Sequence, residues 1–552
     1  MAEIIDINEF AKLDLRIGKI ENAERVEVSK KLKPKQFQTF LNSETHSYSM
    51  SVIKRQKSVF VISCLLIVFV FCIILIGARA ESTNLQASGV GIDLGTDDDF
   101  LMNIDKFEYN TNCPNTDTDI DDEGLKDTFE YSIEQGISYL FSTRTDPNRI
   151  RGEFAIFESS NMNMSDEVYR KINFGTPLVY HSLGFLENLT LNLSILDDID
   201  IMRTDAISFM QRHRECDEYD GPNVLGVDTG GAVWRYYYEF GDHMLLRALF
   251  NVPDIDDTTM ILEALYESGE NIDDYYPTTA TDYFINFQLR DAFITHNALV
   301  PPVQLQYNNF NTWTYEGIQS RIYKLEDYDV VVNANVLFFY STQLNTSDLQ
   351  TQIPEVFDYI NYGIAKMNEN RQKAIFPGSW TGVNISMYYP SPFTFTYFVS
   401  RAYKDGGAPI TGNQSINING IKEYILADDD NDGQLDRQST NGSWGNFELI
   451  NGTKTLVTND LETALATLSL LNIYDTLNTS DKVIANAAID NSIEYLLENQ
   501  NPDGSWDSAF WFQAPLPTRY SGSVEITTGF VLEALAKYQA TRPKTTSAVS
   551  GQ

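Results

Sequence analysis

EYLLENQNPDGSWD, residues 494–507, followed by ITTGFVLEALAKY, residues 526–538, decides the fold. The stretch from Ile484 to Gln500 carries apolar residues at helical spacing, and the turn Asn501-Pro502-Asp503-Gly504 ends it, because Pro and Gly do not continue a helix. Trp506 comes next. A second helix then follows, with Leu532-Glu533-Ala534-Leu535 on a 3.6-residue apolar seam. Helix, turn, tryptophan and helix make one unit.

The unit recurs. Trp234, Trp313, Trp380, Trp444 and Trp506 lie 79, 67, 64 and 62 residues apart, a quasi-period longer than that of short solenoid repeats. GGAVW ends at Trp234, FPGSW at Trp380 and NGSW at Trp444, and an earlier copy, GISYLFSTRTDP then GEF, puts Phe154 in the tryptophan position. Leu262 to Leu265 and Leu468 to Leu471 match Leu532 to Leu535 and mark the inner helices. A helix pair of this kind cannot cover its own apolar face, so neighbours must supply the cover. The expected fold is all-α: a single α6/α6 toroid of six inner and six outer helices over residues 125–540, with a tail at 541–552. An irregular helical solenoid is the competing architecture.

The units resemble the QW motif of squalene and oxidosqualene cyclases, most closely at Gln500, Gly504 and Trp506. Most units lack the Gln, so the resemblance is firmer to the wider toroid superfamily, which includes protein prenyltransferases. In such a ring the inner helices run parallel and their N-termini gather at one mouth. The residues expected there are Asp254, Asp256, Asp257 and Thr258 in unit two, and Asp329, Asn333 and Asn335 in unit three. Unit five supplies Asp460 and Glu462, and unit six Glu525 and Thr527.

VPDIDDTTMILEAL, residues 252–265, resembles the DxDD motif of class II terpene cyclases. The resemblance implies that the middle carboxyl, Asp256, protonates an alkene or epoxide, flanked by Asp254 and Asp257. Such chemistry needs an acid held protonated, and like charges in an apolar cavity raise a carboxyl pKa. Aromatic faces would then stabilise carbocations. The same residues also read as an N-cap with an acidic first turn.

Two further function classes stay open. Lyases and glycosidases on α/α barrels use acidic pairs in a polar cleft, and a non-catalytic surface-binding toroid needs no site chemistry. A small-molecule or glycan ligand in the central cavity is the expected partner of either enzyme class. Zinc is not expected, since only Cys216 stands within the ring to accompany Asp and His ligands. The Cys-Gly-Glu-Gln arrangement of thioester domains is absent from the sequence. Asp428, Asp430, Asp432, Gln434 and Asp436 place oxygens at the spacing of an EF-hand-like loop with Gly433 at its sixth position, so calcium is expected there as a structural clamp.

The whole chain of 552 residues carries a formal charge of −37, which argues against nucleic-acid binding by the ring. Its 32 Phe and 30 Tyr are ample for a large core. Ser58 to Ala78 is an uncharged apolar run, preceded by Lys54, Arg55 and Lys57 and followed by an acidic segment. It is long enough to span a bilayer with its basic end inside. Residues 50–80 are therefore expected to be a membrane anchor or a signal peptide, followed by an acidic linker at 81–124 that includes Asp117, Asp119, Asp121 and Asp122, with the ring outside the cytoplasm. Nine Asn-x-Ser/Thr sequons follow that segment. Cys113 and Cys216 either pair or remain separate thiols. Residues 10–32, FAKLDLRIGKIENAERVEVSKKL, resemble the opening strands of the tRNA-binding OB domain of methionyl-tRNA synthetases. A closed OB barrel needs five strands, and here the pattern stops at Lys33-Pro34, so residues 1–49 are expected to be a truncated fragment that does not fold.

Overall fold

The computed structural model describes residues 122–144, 146, 149–161, 164–214, 234, 255–276, 278–284, 288–289, 309–310, 329–371, 386, 388–429, 435–515 and 518–541. All belong to the second of two units into which the chain divides, Asp117–Gln552. Asp254, Trp313, Trp380, both toroid-side cysteines, the OB-like stretch and the apolar run 58–78 lie outside the described residues. Among the described residues no helix is long and apolar enough to cross a membrane.

In chain order the elements are α1 (Asp122–Thr143), β1 (Ile156–Ser159), β2 (Val168–Arg170), α2 (Gly175–Leu186), α3 (Leu193–Arg212) and α4 (Ile255–Glu267). There follow α5 (Ala280–Phe284), β3 (Gln288–Leu289), β4 (Asn309–Phe310), α6 (Val330–Gln343), α7 (Thr346–Gln352), α8 (Pro354–Asn370), α9 (Pro392–Lys404) and α10 (Ile418–Ile425). The last part holds β5 (Gly445–Ile450), β6 (Thr453–Thr458), α11 (Asp460–Ile473), α12 (Thr479–Glu498), β7 (Phe510–Pro515), β8 (Thr518–Gly522) and α13 (Val524–Thr541).

Six of these helices form a closed inner ring. α2 packs on α4, α4 on α6, α6 on α9, α9 on α11, α11 on α13, and α13 returns to α2. Each is covered on nearly every side: α11 is buried along its whole length, and α4, α6 and α9 are buried for three turns from their starts. A helix without a polar face has this fate in a globular protein. The outer layer is α1, α3, α8, α10 and α12, each set against inner helices. Between α4 and α6, where a sixth outer helix was expected, the described residues hold the five-residue α5, tied to the ring by the Tyr340 hydroxyl donating to the Thr281 carbonyl at 2.8 Å.

The all-α expectation needs correction, because the connections carry β-hairpins. β5 and β6 pair through six residues each. β1 and β2 from the first unit join β8 and β7 from the last in an antiparallel sheet of order β2-β1-β8-β7, with Phe157 opposite Gly522 and Glu158 opposite Ser521. In β7, FWFQAP, the aromatic content masks period-2 patterning.

The tryptophan unit has a physical basis in a repeated hydrogen bond. The backbone N–H of Phe154, Trp234, Trp444 and Trp506 each donates to a threonine hydroxyl in the first turns of the following inner helix: Thr176 (3.1 Å), Thr258 (3.0 Å), Thr463 (2.9 Å) and Thr528 (3.3 Å). Phe154 thus occupies the tryptophan position, as expected. Thr258 serves this bond, and in the last unit Thr528 does so rather than Thr527. Two residues before each of Phe154, Trp444 and Trp506 stands a glycine, Gly152, Gly442 or Gly504, at φ +92°, +88° and +92°. A Cβ there would sit 2.0, 2.0 and 2.3 Å from the carbonyl oxygens of Asp205, Asn491 and Gln135 on the next outer helix around the ring.

The Gln500 amide donates to Gly504 and to Ser132 of α1, both at 2.8 Å, so the last unit clasps the first. Gln438 does the same one unit earlier, donating to Gly442 at 3.1 Å and to Ala488 of α12 at 2.8 Å. Three sequon asparagines, Asn192, Asn345 and Asn478, are N-caps whose side-chain oxygens accept from the first turns of α3, α7 and α12. Capping accounts for the Asn at these places.

Gly504→Ala is expected to destabilise the ring by on the order of 3 kcal/mol, since it combines left-handed strain with a backbone clash. Gly269→Ala, at φ +90° with no atom within 4 Å of the added Cβ, is expected to cost only about 1 kcal/mol. Urea unfolding of the two variants measures the difference, and equal losses would contradict the clasp.

Candidate acid site at the mouth of the ring

The inner helices run parallel, as the pairings between their ends show. Ser391, the N-cap of α9, donates to Glu462 in the first turn of α11 at 2.6 Å. At the opposite end Lys537, late in α13, donates to Asp405 at the end of α9 (2.7 Å) and to Asn472 at the end of α11 (2.8 Å).

Asp256 lies in the first turn of α4 and is 4% exposed. Its Oδ1 accepts from Asn335 Nδ2 at 2.7 Å, and its Oδ2 accepts a short hydrogen bond from the Tyr389 hydroxyl. Burial pushes its carboxyl up to about 6, against the opposing pull of those two hydrogen bonds and of the nearby Arg401 charge. Like charges crowded in an apolar cavity were the expected cause, and burial is the largest contribution. Asp257 is buried beside it, and Asp254 lies outside the described residues.

Tyr389 reaches Asp256 from the segment before α9. Asp329 holds that segment: as N-cap of α6 its Oδ1 accepts from Val331 N at 2.7 Å, and its Oδ2 accepts from Tyr388 N at 3.0 Å. Aromatic rings surround the pair. Trp511, on the β7–β8 hairpin, stacks on Phe174 at 5.0 Å and meets Tyr389 edge-on at 5.7 Å, with Phe398 and Phe530 at 6.3 and 6.2 Å. Asp256 therefore stands beside a buried aromatic cluster.

The ring brings Asn335 to Asp256, while Asp329, Asn333, Asp460, Glu462, Glu525 and Thr527 have other partners. Glu525 forms an ion pair with Arg149 of the first unit. Asp460 accepts from the Tyr495 hydroxyl at 3.0 Å and from Asp507 N at 3.1 Å, and burial lifts it to about 6. Glu462 is buried with Ser391 and pushed up to about 7 by burial. Asn333 donates to the Asp329 carbonyl, and the Thr527 hydroxyl to the Ser523 carbonyl, both one turn back.

Three buried residues of the inner ring escaped the sequence reading. Tyr389 precedes Ser391-Pro392, a helix-start signal that marks unit four's arrival at the mouth. Arg401 is the one cation within the buried part of α9 and is fully buried there. Glu263, two turns below Asp256 on α4, is raised to about 8 by burial and by Glu267, and accepts from the Thr342 hydroxyl at 2.6 Å.

Of the expected calcium ligands, Asp430, Asp432 and Gln434 lie outside the described residues. Asp436 Oδ1 accepts from Asp429 N at 3.1 Å, and Asp429 is paired with Arg371. At the far end of the ring His181, Asp405 and Glu533 bring ligand atoms within 4.8 Å of one another, but the Lys537 ammonium already bridges Asp405 (2.7 Å) and Glu533 (3.1 Å).

No family model matches the chain, and no curated protein does. Among solved structures it is similar to the apo type II terpene cyclase MstE from Scytonema, at 16% identity over 75% of this chain and 98% of that one, with a TM-score of 0.46. It is also similar to cellobiose 2-epimerase from Bacillus thermoamylovorans, at 13% identity over 75% and 99% with a TM-score of 0.43. A glycosyl hydrolase family 88 protein from Bacteroides vulgatus matches at 13% identity over 74% and 98%, with a TM-score of 0.37. Likeness of this degree assigns no activity.

Four buried carboxyls, Asp256, Glu263, Asp460 and Glu462, keep their protons to higher pH when folded than they do unfolded. Between about pH 4 and 8 the folded state binds more protons, so stability falls as pH rises through that window. The melting temperature is expected to be higher at pH 5 than at pH 8, with a smaller difference in Glu263→Gln. Calorimetry at the two values checks this, and an unchanged difference in the variant would count against it.

Proposed function

We propose that the toroid initiates cyclisation of an isoprenoid substrate by proton transfer from Asp256. The observation that carries this reading is a buried carboxyl, lifted towards neutral pH, whose hydrogen-bond partner Tyr389 stands in a cluster of aromatic rings. Protonating an alkene needs a carboxylic acid in a dry setting, where a nucleophilic water does not quench the cation. The acidic hydrogen adds to one alkene carbon, the π electrons form the new C–H bond, and the adjacent carbon becomes cationic. Trp511, Phe174, Phe398 and Tyr389 offer π faces to such charge. A second alkene of the substrate then gives its π electrons to that carbon and closes the ring, and the resulting cation loses a proton to water as its C–H electrons form the alkene of a neutral product.

A glycosidase or lyase reading has less support, because hydrolysis uses two carboxyl groups flanking one bond and Glu525, Asp460 and Asp329 are bound to Arg149, Tyr495 and the α6 backbone. The scaffold reading draws support from Trp511, 1% exposed in the aromatic cluster at the mouth. Calcium at Asp428 to Asp436 and attachment to a membrane through residues 58–78 belong to the same proposal as accessory features, neither of them needed for the chemistry.

Incubation of the purified chain with polyprenyl substrates, followed by mass spectrometry of the products, tests the reading. The wild type is expected to yield cyclised product with a rate that declines as pH rises through about 6, when Asp256 loses its proton. Asp256→Asn is expected to lower that rate at least a hundredfold. Absence of cyclised product from the wild type favours the scaffold.

A further inference from the structure

Arg401 is fully buried in α9, and the ring gives it an unusual setting. Its guanidinium carbon lies 4.2 Å from the centre of the Phe338 ring, 4.7 Å from Phe398 and 5.6 Å from Tyr397. Nη2 donates to Asn335 Oδ1 at 3.1 Å and touches Met260 Sδ at 3.0 Å, while Nε and Nη1 have no hydrogen-bond partner among the described residues. Keeping a cation in this dry setting costs desolvation. Its one polar bond of note leads to the residue that holds Asp256.

An amide has one acceptor oxygen and one donor nitrogen, and a guanidinium has donors only. With Arg401 on the oxygen, the NH2 of Asn335 must point the other way, where it lies 2.7 Å from Asp256 Oδ1. Without the guanidinium the amide is free to turn and offer its oxygen, which favours a protonated carboxyl. Resting on the acid role given to Asp256, we propose that Arg401 is a positioning residue: it fixes the Asn335 amide so that its NH2 faces Asp256, and its charge stabilises the carboxylate left after proton transfer. Other charges stand nearby. Asp257 is buried next to Asp256 in the first turn of α4, Asp329 caps α6, and Glu263 and Glu267 follow Asp256 along α4, with Glu267 engaged by His181 of α2 at 2.6 Å. From α13, Glu533 is held by the Tyr397 hydroxyl (2.9 Å), and Lys537 pairs with Glu533 and Asp405.

Infrared titration of the full chain, with Asp256→Asn as the subtracted reference, isolates the Asp256 carboxyl band and needs no substrate. In Arg401→Met the midpoint is expected to move up by on the order of one pH unit, a tenfold gain in proton affinity, because both the charge and the amide orientation are lost. Arg401→Lys keeps the charge without the rigid fork and is expected to fall between the two. Asn335→Leu, which removes the relay itself, is expected to move the midpoint up as well. A folded Arg401→Met, or in its stead a folded Asn335→Leu, with the wild-type midpoint would overturn the assignment, whatever the cyclisation assay shows.

Discussion

Closure is the constraint on which everything else in this ring depends. Each helix pair is apolar on both flanks, so an open arc would leave its two terminal flanks wet, and burial of apolar surface at about 25 cal/mol per Å² strongly favours joining them. The join is made at several levels at once. α13 packs on α2, β8 pairs with β1, Gln500 reaches Ser132, and Arg149 pairs with Glu525. Every one of these contacts links the first unit to the last.

Closure also explains the chemistry of the interior. Once six parallel helices surround an axis, side chains near their starts face one another in a space with little water. A carboxylate there loses its hydration and takes up a proton more readily. Asp256 shows that outcome in moderated form, since Asn335 and Tyr389 each donate to it and temper the effect of burial. Glu462 and Glu263 feel the same loss of water at other heights in the ring. The perturbed groups thus arise from the architecture, and of these four Asp256 is the one joined to the aromatic cluster, through Tyr389.

Much of the ring was legible in the sequence because its determinants are local. Gly504-Ser505-Trp506 and its relatives are turns that a left-handed glycine and a threonine-bound amide require, and those requirements leave a fixed spacing in the chain. Helix starts were equally readable, which is why Asp256 and Asn335 were both placed at the mouth. Tyr389 and Arg401 were not, because their roles come from contacts made across the axis, 133 residues away in the Tyr389 case and 66 in the Arg401 case. The hairpins were hidden for a different reason: short aromatic strands such as Phe510–Pro515 look like core helix by composition. Several acidic residues expected at the mouth are engaged by caps and ion pairs, Asp329 with the α6 backbone and Glu525 with Arg149.

The sheet that joins β1 to β8 has a bearing on biosynthesis. Contacts such as Gln500 with Ser132 and Arg149 with Glu525 span 368 and 376 residues of chain. At translation speeds of roughly 5–20 residues per second, the N-terminal flank waits for tens of seconds before its partner leaves the ribosome. Throughout that interval α1, α2 and the edge of β1 present apolar surface and unpaired backbone groups, so a nascent chain of this design is exposed to aggregation until its last unit arrives.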